Sequence, residues 1–527
     1  VPEFELANID LVIVGLYVIM ILGIGFWAGR KQQNSEGYFL AGRGTIWPLV
    51  GLSLVSANLS GTSYIGLAGA GYHDGIAVWN YEWMATLVLV FFVLFILPFY
   101  LRSRVNTMPE FLARRYDKRS RYAFSLFSIF TAILIDSAGA LFAGGITLQL
   151  LFPEVPLGVL IGAMALLGGG YVILGGLRAV IVTDTIQCVL LYVAGGVIFF
   201  LVFRELGSWG AVQDAAPEGG FSVIKPADDD FLPWPGIFTG VLWLGFYYWT
   251  TNHIVMQKVL SAKSTDHGRW GALLAGFLQL PLLFLLILPG TMGRAIYPDL
   301  AEADLIWPTL AFDLLPIGLR GLVLAALVAA LMSTLDSVLN GASSLVVNDF
   351  IKTRRKQRSE KQLLLISRGM VAVFMVIAGL WAPVILTFEG IVEYFQSFLG
   401  YVTMPAVMIF LGGLFWHRAT GAAAFWTLVI GAPVGMTGFL AGELFELYQL
   451  QFLYGTGLML LLCLSLFIGI SLSTEAPSRE ELKDYVWSQA AWREESRELA
   501  GKPVWQNYRV LAGLLVVVTV VWVGLFI

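Results

Sequence analysis

Leu49-Val50-Gly51-Leu52-Ser53-Leu54-Val55-Ser56-Ala57-Asn58-Leu59-Ser60-Gly61-Thr62-Ser63-Tyr64-Ile65-Gly66-Leu67-Ala68-Gly69-Ala70-Gly71-Tyr72 is apolar at both ends and polar in its middle. It is long enough to cross a bilayer, yet Ser53, Ser56, Asn58, Ser60, Thr62 and Ser63 interrupt it. Hydrocarbon offers the backbone no hydrogen bonds. Such an interruption survives only where protein or a water-filled cavity satisfies the freed groups. Broken helices of this kind hold ions and solutes near the membrane midplane in secondary transporters.

The rest of the chain agrees with a membrane setting. It is 58% hydrophobic and 13% charged, with a mean hydropathy of +0.78, where soluble domains carry about 25% charged residues. About fourteen segments approach the roughly 20 apolar residues that a spanning helix needs. They lie near 9–29, 47–72, 77–101, 122–152, 156–176, 179–203, 235–259, 270–294, 317–349, 366–388, 390–415, 418–441, 450–472 and 508–527. The first is too long and too polar-flanked for a leader, and no small-residue cleavage site follows it. If the N-terminus is outside and the spans alternate, all but Arg204, Lys225, Arg294 and Arg320 of the 32 Lys and Arg fall on the inner side. Two clusters dominate: Arg102, Arg104, Arg114, Arg115, Lys118, Arg119 and Arg121, then Lys352, Arg354, Arg355, Lys356, Arg358 and Lys361. That asymmetry supports both the count and the orientation, which puts the C-terminus outside as well. Cys188 and Cys463 sit in apolar spans and suggest neither metal nor disulfide. The four scattered histidines form no ligand pattern. Nothing suggests a nucleic-acid surface.

A second span, 235–259, is interrupted by Tyr247, Tyr248, Trp249, Thr250, Thr251, Asn252 and His253. Two discontinuous helices five spans apart are the pattern of a five-plus-five inverted repeat. The chain then divides into a first peripheral helix and inner loop (1–46), repeat one (47–203), an outer loop (204–234), repeat two (235–415) and three peripheral helices (416–527). Within the last, 473–507 reads as an inner interfacial amphipathic segment or a solvated linker. The glycine run Gly66 to Gly71 lies in a span with no preceding strand, so it reads as close helix packing rather than a phosphate loop.

Ionisable groups inside spans usually mark pathways or ion sites. Glu82, beside Tyr81 and Trp83, suits a neutral polyol, accepting hydroxyl hydrogen bonds next to a ring. The alternative is an interfacial Glu. Asp184 serves a cation or holds a neighbouring helix. Asp136 has no obvious partner in sequence, and structural pairing is the expectation. Ser333, Ser337 and Asn340 share one face of 317–349, with Thr334 at its border. Hydroxyls facing carbonyls freed in the first broken helix would make a cage of hard oxygens for Na+. Such hydroxyls also commonly bond their own i−4 carbonyl.

At these residues the chain resembles the sodium/solute symporter family, and within it the sodium/sugar (glucose/galactose-type) cotransporters. Tyr38-Phe39-Leu40-Ala41-Gly42-Arg43 and the run from Tyr171 through Gly175-Gly176-Leu177-Arg178 to Thr183-Asp184 and Gln187 are similar to family motifs. So are Tyr81-Glu82-Trp83, Met108-Pro109-Glu110-Phe111, Tyr248-Trp249, Ser261-Ala262-Lys263 and Leu411 to Trp416. The resemblance implies an all-α integral membrane protein with a leucine-transporter-like inverted repeat and two broken helices. It implies a sodium site at Ser56, Leu59, Ala330, Ser333 and Thr334. A second cation region falls at Asp184, Asp336 and Ser337, where the Asp at 336 departs from the usual small or hydroxyl residue. It implies a sugar site at Asn58, Ser63, Glu82, Tyr248, Trp249, Gln279 and Gln396. Ser63 stands where sugar members carry Gln or His, Gly245 where one pattern has Asn, and Gln279 where many have Lys. Fewer long polar side chains therefore reach the solute.

The reading is a sodium-coupled symporter importing a hexose-like sugar across the plasma (inner) membrane. Another solute, such as myo-inositol, sialic acid or a carboxylate, is the alternative within transport. A carboxylate would want a basic group, and none is expected near the site in the core spans. A transporter-like sensor would need a signalling domain, and 473–527 is too short for one. An enzyme would need a nucleophile-base pair or a metal cluster, and neither is evident.

Overall fold

The computed structural model describes residues 7–29, 41–171, 177–352, 359–482 and 485–527. Tyr38 to Leu40 of the first motif, Gly175 and Gly176 of the second, and Arg354, Arg355, Lys356 and Arg358 of the second basic cluster lie outside the described residues. Among the described residues there is no strand, only isolated bridges between Thr45 and Ala262 and between Lys225 and Pro233.

Among the described residues, eight helices are long and apolar enough to cross a membrane, or nine if the bent pair Ile391–Val402 and Met404–Phe415 is one span. Asn8–Gly29, Leu157–Tyr171, Tyr508–Val523 and the two interrupted segments stand where the other spans were expected.

The first interruption falls where the sequence places it. Trp47–Asn58 begins on Pro48, which needs no amide partner in a first turn. It ends at Leu59 (φ −84°, ψ 56°). Ser60 is extended (φ −67°, ψ 164°), and Gly61–His73 starts a new helix. The interruption in 235–259 is narrower than its polar run suggests. Leu242–Phe246 continues through a π-helical turn, Tyr247–Thr251, and only Asn252 leaves the helix (φ −59°, ψ 123°). The Asn252 Oδ1 accepts from the amides of Ile254 (3.0 Å) and Val255 (3.3 Å), capping His253–Leu260. A third interruption adds to the two expected ones. Ile391–Val402 and Met404–Phe415 meet at 54° around Thr403, where Pro405 supplies no donor to the Tyr401 carbonyl.

Close packing fixes the two halves of the first broken helix. Trp47–Asn58 lies on Thr265–Gln279, where a Cβ on Gly51 would sit 2.7 Å from Leu274 Cδ2. Gly61–His73 lies on Leu288–Ile296, where a Cβ on Gly290 would collide with the Ala68 carbonyl. The run Gly66 to Gly71 is therefore a packing surface, as its setting suggests.

Inside 473–507, the helix Gln489–Leu499 is docked against protein rather than left as a solvated linker. Glu495 is buried and pairs with Arg269 and with Arg509 (3.3 Å). Trp492 stacks on Phe95 at 5.4 Å and lies under the Arg509 guanidinium at 3.6 Å.

Candidate solute and ion site

The three interruptions surround two adjoining chambers. The larger, about 130 Å³, is lined by residues of all three broken segments together with the helices Asn80–Phe91 and Ala132–Ser137. The smaller, about 40 Å³, lies between the first and second breaks and the helices Leu177–Leu206 and Leu319–Leu345.

The hydrogen bonds around the first break locate its free oxygens. A helix leaves its last four carbonyls without intrahelical donors. At Trp47–Asn58 the Val55 carbonyl accepts from the Leu59 amide at 2.7 Å. The Ala57 carbonyl accepts from the Tyr248 hydroxyl at 2.8 Å, and the Asn58 carbonyl from the Ser63 hydroxyl. No donor among the described residues reaches the carbonyls of Ser56 or, beyond the helix end, of Leu59. Ser56 lines the smaller chamber. Ala330, Ser333, Thr334 and Ser337 line it from Leu319–Leu345. Thr334 Oγ1 donates to the Ala330 carbonyl at 3.0 Å, the back-bond anticipated for such hydroxyls, and its lone pairs stay available. Four of the five expected sodium-binding residues thus lie on one cavity wall. The fifth, Leu59, contributes a free carbonyl in the break itself.

The other cation-site candidates separate. Asp184 and Ser337 line the smaller chamber, whereas Asp336 is buried away from both chambers. Asp184 already holds a cation of the protein's own. Lys258 Nζ lies 2.8 Å from Asp184 Oδ2 and 2.9 Å from the Ser53 carbonyl, while Ser333 Oγ donates to Asp184 Oδ1 at 2.6 Å. Both charged residues are buried. The expectation of no basic group in the core spans is therefore corrected. Lys258 is legible as an ionisable residue in the apolar run Ile254 to Leu260, six residues past the Asn252 break. It belongs to the smaller chamber and is absent from the wall of the larger.

Asn58, Ser63, Glu82, Tyr248, Trp249 and Gln396, all expected there, are among the residues lining the larger chamber. Asn58 Nδ2 donates to Glu82 Oε2 at 2.9 Å and to Gln279 Oε1 at 3.1 Å. Gln279 is fully buried and off the chamber wall. It orients Asn58 from behind instead of meeting the solute. Glu82 is 6% exposed, so it is no interfacial residue. Gly245 lines the wall as well, with Val88 3.2 Å from where a Cβ would stand.

Asp136 departs from its expected pairing. It accepts no hydrogen bond and forms no ion pair among the described residues, and it lines both chambers. One histidine does have acidic neighbours. His73, Asp74 and Glu389 come together at the C-terminal end of Gly61–His73, with His73 Nδ1 3.1 Å from Asp74 and 3.8 Å from Glu389.

Freed carbonyls facing hydroxyls in one chamber, and a polar, aromatic-walled chamber beside it, define a membrane transporter of the broken-helix type. The model of the sodium:solute symporter family matches residues 38–431. Sodium/glucose cotransporter 4 of Danio rerio is 30% identical, with 94% of this chain and 83% of that protein covered. Sodium/glucose cotransporter 1 of Sus scrofa is 32% identical over 85% of this chain and 73% of its own. Sodium/myo-inositol cotransporter 2 of Oryctolagus cuniculus is 31% identical over 92% and 80%. Among solved structures, a Na+-coupled sialic acid symporter in a substrate-bound outward-open state superposes with a TM-score of 0.76 at 20% identity, covering 90% of this chain and all of that one. The nucleobase-cation symporter Mhp1 gives 0.53 at 13% identity over 86% and 99%. These two share the fold. The chain belongs to the sodium:solute symporter family. It is a multi-pass membrane transporter with sodium as its coupling ion, and not an enzyme.

Proposed function

We propose that the protein imports a hexose-like sugar by sodium-coupled alternating access across the plasma (inner) membrane. One observation carries the solute class. The larger chamber has carboxylates, amides, hydroxyls and aromatic rings on its wall but, among the described residues, no basic side chain. Such a wall accepts hydrogen bonds from hydroxyls and covers apolar ring faces, while it repels anions. The named substrates of the curated relatives, glucose and myo-inositol, are neutral polyols of this kind. A carboxylate is disfavoured because Lys258, the basic side chain on the smaller chamber's wall, is occupied by Asp184.

In this reading sodium binds in the smaller chamber through the Ser56, Leu59 and Ala330 carbonyls and the Ser333 and Thr334 hydroxyls. Both termini face outward, and residues 47–203 and 235–415 are the two repeats. The driving force suffices. One charge crossing 100 mV supplies about 2.3 kcal/mol, and a tenfold sodium gradient adds about 1.4 kcal/mol. Together they support roughly 500-fold accumulation at one sodium per sugar. Uptake of a radiolabelled panel of hexoses, myo-inositol and sialic acid into proteoliposomes, with and without a sodium gradient, tests the reading. Sodium-dependent uptake of a neutral sugar is expected. Uptake of sialic acid alone would contradict it.

A further inference from the structure

We propose that Asp136 is the residue through which sodium and solute sense one another, resting on the assignment of the two chambers to those ligands. The walls of the two chambers share Ala57, Asp136, Tyr248, Asn252 and Thr334, and Asp136 alone among them is ionisable in the physiological range. Each of the other four is tied elsewhere. Ala57 and Tyr248 are hydrogen-bonded to each other, Asn252 caps a helix, and Thr334 bonds Ala330. Asp136 has no such tie and keeps accessible surface. It also sits within a π-helical turn, Ala132–Ser137, in an otherwise continuous helical segment. Turns of this type shift one residue out of helical register and occur frequently at functional sites.

A carboxylate without a hydrogen-bond or ion-pair partner in a low-dielectric interior is costly when charged, and either a proton or a nearby cation relieves that cost. A cation in the smaller chamber attracts and orders it. Once ordered, its oxygens present acceptors to the larger chamber, and a hydroxyl-rich solute binds them without bearing the ordering cost itself. That sequence is a coupling free energy between two sites, and it is reciprocal. Glu82 cannot play the part, since it lines only the larger chamber and is already held by Asn58.

The test is equilibrium binding of radiolabelled D-glucose, D-galactose and myo-inositol to purified protein, in sodium and in choline, for the wild type, Asp136→Asn and Asp136→Ser. The measured quantity is the ratio of sugar Kd in the two salts. A second readout is the sodium half-saturation of thermal stability without sugar. The wild-type ratio should be tenfold or more. In whichever variant folds, it should fall to within about twofold of one, and sodium half-saturation should rise because the carboxylate that attracts the cation is gone. A merely structural aspartate would lower stability in both salts and leave the ratio intact, which would overturn the proposal. Wild-type protein that binds none of the three sugars in sodium would take down the sugar reading and this inference with it. Wild-type coupling beside equal coupling in the variants removes Asp136 alone.

Discussion

Ser333 and Thr334 are neighbours in sequence with different commitments. The Ser333 hydroxyl donates to Asp184, and the Thr334 hydroxyl donates to its own helix. Both keep lone pairs for a cation. Removing either oxygen should raise the sodium concentration for half-maximal uptake, and uptake measured against sodium checks it. Unchanged sodium dependence in both Ser333→Ala and Thr334→Ala would count against the site. In the larger chamber, Glu82→Ala and Gln396→Ala each remove a hydroxyl partner, which costs about 1–3 kcal/mol and weakens sugar binding roughly tenfold or more. Gln279→Ala acts through Asn58 and should weaken binding less than Glu82→Ala does, by the same assay. The pair Lys258 and Asp184 answers to stability instead. Lys258→Met strands a buried carboxylate at a cost of about 3–5 kcal/mol, and adding Asp184→Asn should restore most of it. Thermal unfolding of the single and double variants decides this. Most of these residues are legible in the sequence, since polar groups in an apolar span have few bland explanations. Their pairings are not, because Asp184 and Lys258 lie 74 positions apart and no periodicity links them.

At the scale of elements, the breaks carry the function. The first lies inside the polar run Ser53 to Ser63 but is narrower than that run, since Ser53, Ser56, Asn58, Thr62 and Ser63 are helical and only Leu59 and Ser60 leave the helix. The polar run of 247–253 suggests a break seven residues wide, yet the helix is interrupted at Asn252 alone. The hydroxyls of Thr250 and Thr251 bond the carbonyls of Phe246 and Tyr247 at 2.6 and 2.7 Å, so polar side chains are satisfied within the helix and do not break it. The bend at Thr403 has only Pro405 as a sequence signal, a weak one because Met404-Pro405 sits in an apolar run and Pro is tolerated in membrane helices. Tyr248 joins the first two breaks through its bond to Ala57 and stands on the wall between the chambers. Tyr248→Ala should leave a folded protein that binds sugar yet fails to concentrate it. Tyr248→Phe separates the ring from the hydroxyl. Monodispersity, thermal stability and sodium-driven uptake of the two variants check the prediction. A well-folded Tyr248→Ala protein with normal accumulation would count against a role for Tyr248 in coupling.

At the scale of the whole molecule, composition and charge placement are enough for a multi-pass membrane protein, while the docking of 473–507 is not readable from them. Its Glu495 pairs with Arg269 and Arg509, partners far away in the chain or beyond the next loop. The central claim is that a cation and a neutral solute occupy adjoining chambers and cross together. The most direct test is sugar uptake into proteoliposomes under an imposed inward sodium gradient and an inside-negative potential. Sugar should accumulate above its external concentration, collapse when sodium is replaced by choline, and fall when the potential is abolished. Sugar that only equilibrates, or that accumulates equally in choline, would contradict the account.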